Sequence, residues 1–229
     1  MIFSRLFSLL ILADLALLVA GGYAALPSTG SFTIGQLFGL DGEWSIPAAY
    51  SALKLALLAL LALLALLIAV AAYALPNRQR FTLFIWAGLF LLMALDEAAG
   101  IHERVRNVSL LFVEDGSGIG GLSIYAVMSI LTSLPAFLYM LVASFTVWKR
   151  LTAGRTRLLA GIGLLFAGAV LFDNLSELLS LETWAIVVIE EGLEFLGVTI
   201  AIGGVLAALA ARPVLLRIGR TLSGTAEAH

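Results

Sequence analysis

The chain has 229 residues, of which 62% are apolar and 12% charged, with a mean hydropathy of +1.08. Soluble domains hold about 45–50% apolar and about 25% charged residues, so this composition excludes an ordinary water-soluble enzyme and a disordered chain. A net charge of −2 gives no basic footprint for nucleic acid, and the absence of cysteine excludes disulfides, thiolate metal sites and cysteine nucleophiles.

A membrane-spanning helix needs about 20 mostly apolar residues. Six stretches meet that length: 6–26, 48–75, 81–102, 122–148, 158–181 and 184–211. The first has Arg5 ahead of its apolar run, as a signal peptide does. It is long and interrupted by Asp14, so it reads as a retained span. The second is almost pure Ala and Leu. No segment alternates as a barrel strand must. The expectation is an all-α, polytopic membrane bundle of six helices forming one domain over 1–229, with outer loops at about 27–47 and 103–121.

Basic residues orient the bundle. With the N-terminus inside, ten of the thirteen Lys and Arg residues fall on the inner side: Arg5, Arg78, Arg80, Lys149, Arg150, Arg155, Arg157, Arg212, Arg217 and Arg220. Only Lys54, Arg104 and Arg106 remain outside. This is the positive-inside pattern, and it places both termini in the cytoplasm. Trp44 and Trp184 fall at outer boundaries and Trp148 at an inner one, where interfacial aromatics belong. Lys54 reads as a snorkelling side chain, with pairing to a carboxylate of the clustered acids as the open alternative. The stretch DGSGIGG, 115–121, lacks both the P-loop lysine and the EF-hand ligand spacing, so it reads as a plain flexible loop. Pro135 is expected to kink the fourth helix. Glycines at 161, 163, 168, 197, 203 and 204 favour close helix packing.

Eight of the fifteen acidic residues lie in or beside three spans: Asp96, Glu97 and Glu103; Asp173 and Glu177; Glu190, Glu191 and Glu194. His102 joins them, and the topology puts all nine toward the outer face. Measured from a turn near Glu182 at about 1.5 Å per residue, Asp173 and Glu177 lie about 13 and 8 Å deep, and Glu190 and Glu194 about 12 and 18 Å. The two sets overlap in depth on antiparallel neighbours. At about 100° per residue, Asp96 and Glu103 share a face, as do Asp173 and Glu177.

One intramembrane charge costs about 2.5–3.5 kcal/mol on insertion scales. Eight bare carboxylates would approach about 20 kcal/mol on that scale, against about 5–15 kcal/mol of net stability for a domain. They cannot all be bare, buried and ionised. Bound cations, protonation or a watered vestibule with basic partners would each relieve the conflict. Carboxylates with one imidazole suit a divalent ion: Fe, Mn, Zn or Ca. The expected metal ligands are Asp96, His102, Glu103, Asp173, Glu177, Glu190 and Glu194, with Glu97 and Glu191 as possible additions. Neither Glu-x-x-His nor His-Glu-x-x-His occurs, so a ferritin-like di-iron centre and a zincin site are not signalled. The competing expectation is a structural network of protonated acids.

Three strings carry a resemblance: LDGEWSIPAAYSALKLALL from Leu40, LDEAAGIHE from Leu95 and EEGLEFLG from Glu190. Together they are similar to a family of uncharacterised bacterial multi-pass membrane proteins with Asp-Glu…His-Glu and Glu-Glu-x-x-Glu intramembrane motifs. The resemblance implies the bacterial inner membrane and supplies no activity. It also implies interest in Glu43, which matches the loop motif and could cap the site from outside.

Asp14 stands alone near the middle of the first span. An intramembrane acid is a functional candidate by default, either as a proton relay or as a neutral Asp bonded to a Ser or Tyr. The leading functional expectation is a metal-dependent membrane enzyme acting on a lipid or other apolar molecule. The alternatives are a cation- or proton-coupled transporter and a non-catalytic metal-binding subunit of a membrane complex. The transporter ranks lower in sequence because no inverted repeat is evident and the cluster lies toward one face.

Overall fold

The computed structural model describes residues 2–25, 36–40, 45–71, 77–100, 118–119, 122–147, 154–172 and 184–210. Within them the chain is a helical bundle: α1 (Ile2–Ala24), α2 (Ile46–Ala71), α3 (Asn77–Ala99), α4 (Ile124–Val147), α5 (Arg155–Phe166) and α6 (Trp184–Ala210). Five helical segments are long and apolar enough to cross a membrane: Arg5–Ala24, Ile46–Leu64, Arg80–Ala99, Arg155–Phe172 and Trp184–Ala210. In α4 the apolar stretch Leu134–Ala143 is shorter, and the helix runs on through Pro135.

The surface is as apolar as the interior. Leu9, Leu12 and Val19 on α1, Leu53 and Leu60 on α2, and Phe81, Phe84 and Leu92 on α3 all face outward. Val19 is 73% exposed. Water would punish so continuous an apolar shell, whereas lipid accepts it. Inside, Leu58 and Ala62 of α2 meet Trp86 and Phe90 of α3, and Leu158, Ile162 and Leu165 of α5 meet Val198, Ile202 and Val205 of α6. Trp86 and Phe90 pack edge to face, with centroids 4.6 Å apart.

Local chemistry sets the helix ends. Ser45 caps α2: its Oγ accepts from Ala48 N–H at 3.2 Å and its carbonyl accepts from Ala49 N–H at 3.1 Å. The α3 helix stops at Ala99. Gly100 has φ +57°, and its N–H donates to the Asp96 carbonyl at 2.7 Å. A glycine in the left-handed region is the usual helix terminator, so the expected extension of this helix to His102 is corrected. The shared face inferred for Asp96 and Glu103 assumed that extension and loses its basis. Part of the glycine-rich loop is also ordered: Gly118 pairs with Ser123 and Ile119 with Leu122 as a minimal antiparallel ladder.

The α5 and α6 helices are close antiparallel neighbours, as the short expected turn requires. Their seam is glycine. A Cβ on Gly161 would collide with the Ala201 N, one on Gly197 would lie 2.5 Å from Leu165 N, and one on Gly204 would lie 2.6 Å from Leu158 N. Gly163 faces open space, so it takes no part in this packing. Past Phe166, α5 loosens into a π-helical segment, Ala167–Phe172.

Candidate functional site

Two opposite charges meet in the interior. The Lys54 Nζ donates to Asp14 Oδ1 at 2.7 Å and to the Phe195 carbonyl at 2.9 Å, with Thr199 Oγ1 at 3.5 Å. It also lies 4.6 Å from the ring centroids of both Tyr50 and Phe195. Asp14 is 0% exposed and Lys54 1%. The other oxygen, Asp14 Oδ2, is buried and accepts no hydrogen bond from the described residues. Tyr50 donates its hydroxyl to the Leu10 carbonyl at 3.2 Å, one turn before Asp14 on α1, and feels the Asp14 charge.

Three helices build this contact at one depth. Lys54 is eight residues beyond the start of α2, Asp14 ten before the end of α1, and Phe195 eleven beyond the start of α6. At about 1.5 Å per residue these are about 12, 15 and 16 Å from a shared end of the bundle. That is the middle of a hydrocarbon layer about 30 Å thick. Lys54 therefore does not snorkel. Asp14 is neither isolated nor held by a Ser or Tyr alone: it is ion-paired. Lys54 also links Asp14 to the acids of α6, because it contacts the residue next to Glu194.

Glu190, Glu191 and Glu194 occupy the second and third turns of α6, half-buried. Glu191 and Glu194 act electrostatically on Lys54. Glu194 also lies against the π-helical segment, since a Cβ on Gly168 would come within 2.7 Å of both the Glu194 Cγ and the Glu190 carbonyl. Asp96 and Glu97 sit half-buried on the last turn of α3. His102, Glu103, Asp173, Glu177 and Glu43 lie outside the described residues. Among the described residues, no group of three or more acidic or histidine side chains comes together in a way that could hold a metal ion.

The sequence left Lys54 open to pairing with one of the clustered carboxylates, and the structure gives it Asp14 of α1 instead. The signal was present: an acid and a base, each about half a membrane deep, on consecutive spans. The electrostatics follow from it. A lysine buried among carboxylates from two helices offsets charge that would otherwise need a cation or protons. The Tyr50 and Phe195 rings meet edge to face at 6.0 Å and 81°, and they present π-faces to the ammonium.

No curated protein and no solved structure matches this chain. The family model for a domain of unknown function, DUF8692, matches residues 9–209. That span holds Asp14, Tyr50, Lys54 and the acids of α6, and the chain belongs to that family.

Proposed function

We propose that this chain is a six-span protein of the bacterial inner membrane, with both termini in the cytoplasm, that works as a cation- or proton-coupled transporter. The observation that carries this reading is the Asp14–Lys54 ion pair at mid-depth, 2.7 Å long and fully enclosed by α1, α2 and α6. Intramembrane ionisable residues are costly to bury and often mark ion and proton pathways. Two features of the bundle support this reading. The charged groups reach the bundle centre instead of stopping near one face. One helix departs from α geometry beside them, at Ala167–Phe172, and such departures cluster at functional sites. Glu191 and Glu194 supply carboxylates between the pair and the outer end.

The test is charge movement on a solid-supported membrane. Proteoliposomes of the wild-type chain should give a transient current on a rapid pH step at the outer face, and Asp14→Asn should abolish it. A wild-type current indistinguishable from that of empty liposomes, or one unchanged by Asp14→Asn, would overturn the proposal.

A second reading keeps the divalent-metal centre of Asp96, His102, Glu103, Asp173, Glu177, Glu190 and Glu194, serving a membrane enzyme for lipid or apolar substrates or a metal-binding subunit. One observation favours it. Glu194 packs on Gly168, five residues before Asp173 in the sequence. Plasma mass spectrometry of purified protein distinguishes the readings. Stoichiometric Fe, Mn, Zn or Ca that is lost in Glu190→Ala and His102→Ala supports the metal centre. No tightly bound metal in the wild type removes it.

A further inference from the structure

The surroundings of the Lys54 ammonium have a definite chemical character. Three oxygens of different kinds face it: a carboxylate (Asp14 Oδ1, 2.7 Å), a main-chain carbonyl (Phe195, 2.9 Å) and a hydroxyl (Thr199 Oγ1, 3.5 Å). Two aromatic faces complete the enclosure, each 4.6 Å from the nitrogen. A small alkali ion needs a full shell of oxygens and gains little from two rings. An ammonium directs its N–H bonds at a few acceptors and turns its remaining surface to π-faces. The cage therefore matches an R–NH3+ group, and apart from Tyr50 its walls come from α1 and α6, not from the helix that carries Lys54.

Two further observations bear on what the cage can exchange. Asp14 Oδ2 is buried, with no hydrogen-bond partner among the described residues, and the Tyr50 side chain interacts with the same carboxylate. Glu191 and Glu194 act on Lys54 from the neighbouring helix. Glu194 directly precedes Phe195, whose carbonyl Lys54 contacts at 2.9 Å, so α6 carries carboxylates next to the ammonium's own contact.

We propose that this cage is an ammonium-recognition site, held at rest by the chain's own Lys54, and that the coupled or transported cation is a small primary ammonium. Ammonium or methylammonium takes Asp14, and Lys54 turns to Glu191 and Glu194. This deepens the transport reading above and rests on it for the word transported; the cage itself is testable alone.

The experiment compares Lys54→Ala with Lys54→Ala/Asp14→Asn in detergent, by thermal melting in methylammonium chloride, sodium chloride or tetramethylammonium chloride at equal concentration. Methylammonium should raise the melting temperature of Lys54→Ala by about 5 °C or more over sodium. Tetramethylammonium, which has no N–H, should behave as sodium does, and the double variant should show no selectivity. Equal effects of the three salts, or the same rescue without Asp14, would overturn the proposal. If Lys54→Ala does not fold, the wild type decides. On a solid-supported membrane a methylammonium step should drive a current that a sodium step does not, and loss of that difference sinks the proposal. A pH-step current with no methylammonium selectivity leaves transport standing and removes the ammonium site. Methylammonium rescue with neither a pH-step nor a methylammonium-step current keeps the cage and removes transport.

Discussion

Replacing Lys54 with methionine keeps most of the side-chain volume and removes the charge. The lost contact is a 2.7 Å ion pair. At an effective dielectric constant of about 20, two unit charges at that distance attract by about 6 kcal/mol. Most of this attraction is offset by the several kcal/mol per ion that burial costs, so the intact pair adds little net stability. Removing one partner is a different case. Asp14 would remain enclosed and uncompensated, a loss of about 3–5 kcal/mol. The Phe195 carbonyl adds little to this, because as a mid-helix acceptor it keeps its i+4 bond. At about 2–4 °C per kcal/mol for a chain of this size, Lys54→Met should melt about 6–20 °C below wild type. Asp14→Leu should fall by a similar amount. The double variant should recover most of the loss, within about 1–2 kcal/mol of wild type, because apolar residues replace a buried pair at little cost. Thermal unfolding in one detergent, run as a double-mutant cycle, measures the coupling. If the losses of the two single variants simply added in the double variant, the two residues would not be acting on each other, and the site described above would be wrong.

Other consequences can be measured on the same preparation. Gly197→Val and Gly204→Val should separate α5 from α6, with losses above the about 1–3 kcal/mol typical of an overpacked core, whereas Gly163→Ala and Gly88→Ala meet nothing within 4 Å and should stabilise by about 0.5–1 kcal/mol; melting curves check both pairs. Ser45→Ala removes the α2 cap and should cost about 1 kcal/mol, read as a shift of a few degrees, with Ser45→Asp restoring most of it. Topology is open to direct labelling, since the chain has no cysteine: single cysteines within 27–47 or 103–121 should react with an impermeant maleimide in intact cells, and those at 78, 155 or 217 only after lysis. The reverse pattern would invert the orientation, and with it the side from which the acids of α6 are reached.

Hydropathy made the helices legible, since length and apolar composition are all that a span requires. Their ends were less so. The α3 stop was written in the sequence as Gly100 after Ala-Ala, but an apolar Ile101 beyond it kept the span running to His102. The glycine pair at 120–121 between short β-competent residues was a hairpin signal hidden by its acidic, glycine-rich surroundings. The charged centre was half legible. Asp14 was marked by its depth, while Lys54 was assigned to the interface although eight residues of helix put it deeper than its four-carbon stem can bridge. Neither residue names its partner, because depth along one helix says nothing of rotation about it or of which helices are neighbours. The π-helical stretch at Ala167–Phe172 carries no residue that announces it, and the packing of Glu194 on Gly168 could be found only in three dimensions.

The order in which the parts of the Lys54 contact are synthesised has its own consequence. Asp14 and Lys54 lie 40 residues apart, on α1 and α2, whereas Phe195 follows Lys54 by 141 residues. At about 5–20 residues per second, α6 emerges about 7–28 s later. During that interval the first helical hairpin must hold an acid and a base in lipid with only each other for company. Insertion of either helix alone would strand a charge, so the two are expected to enter the bilayer as one unit. Helix α6 then closes over a lysine already in place, which makes its arrival the committing step in assembling this site.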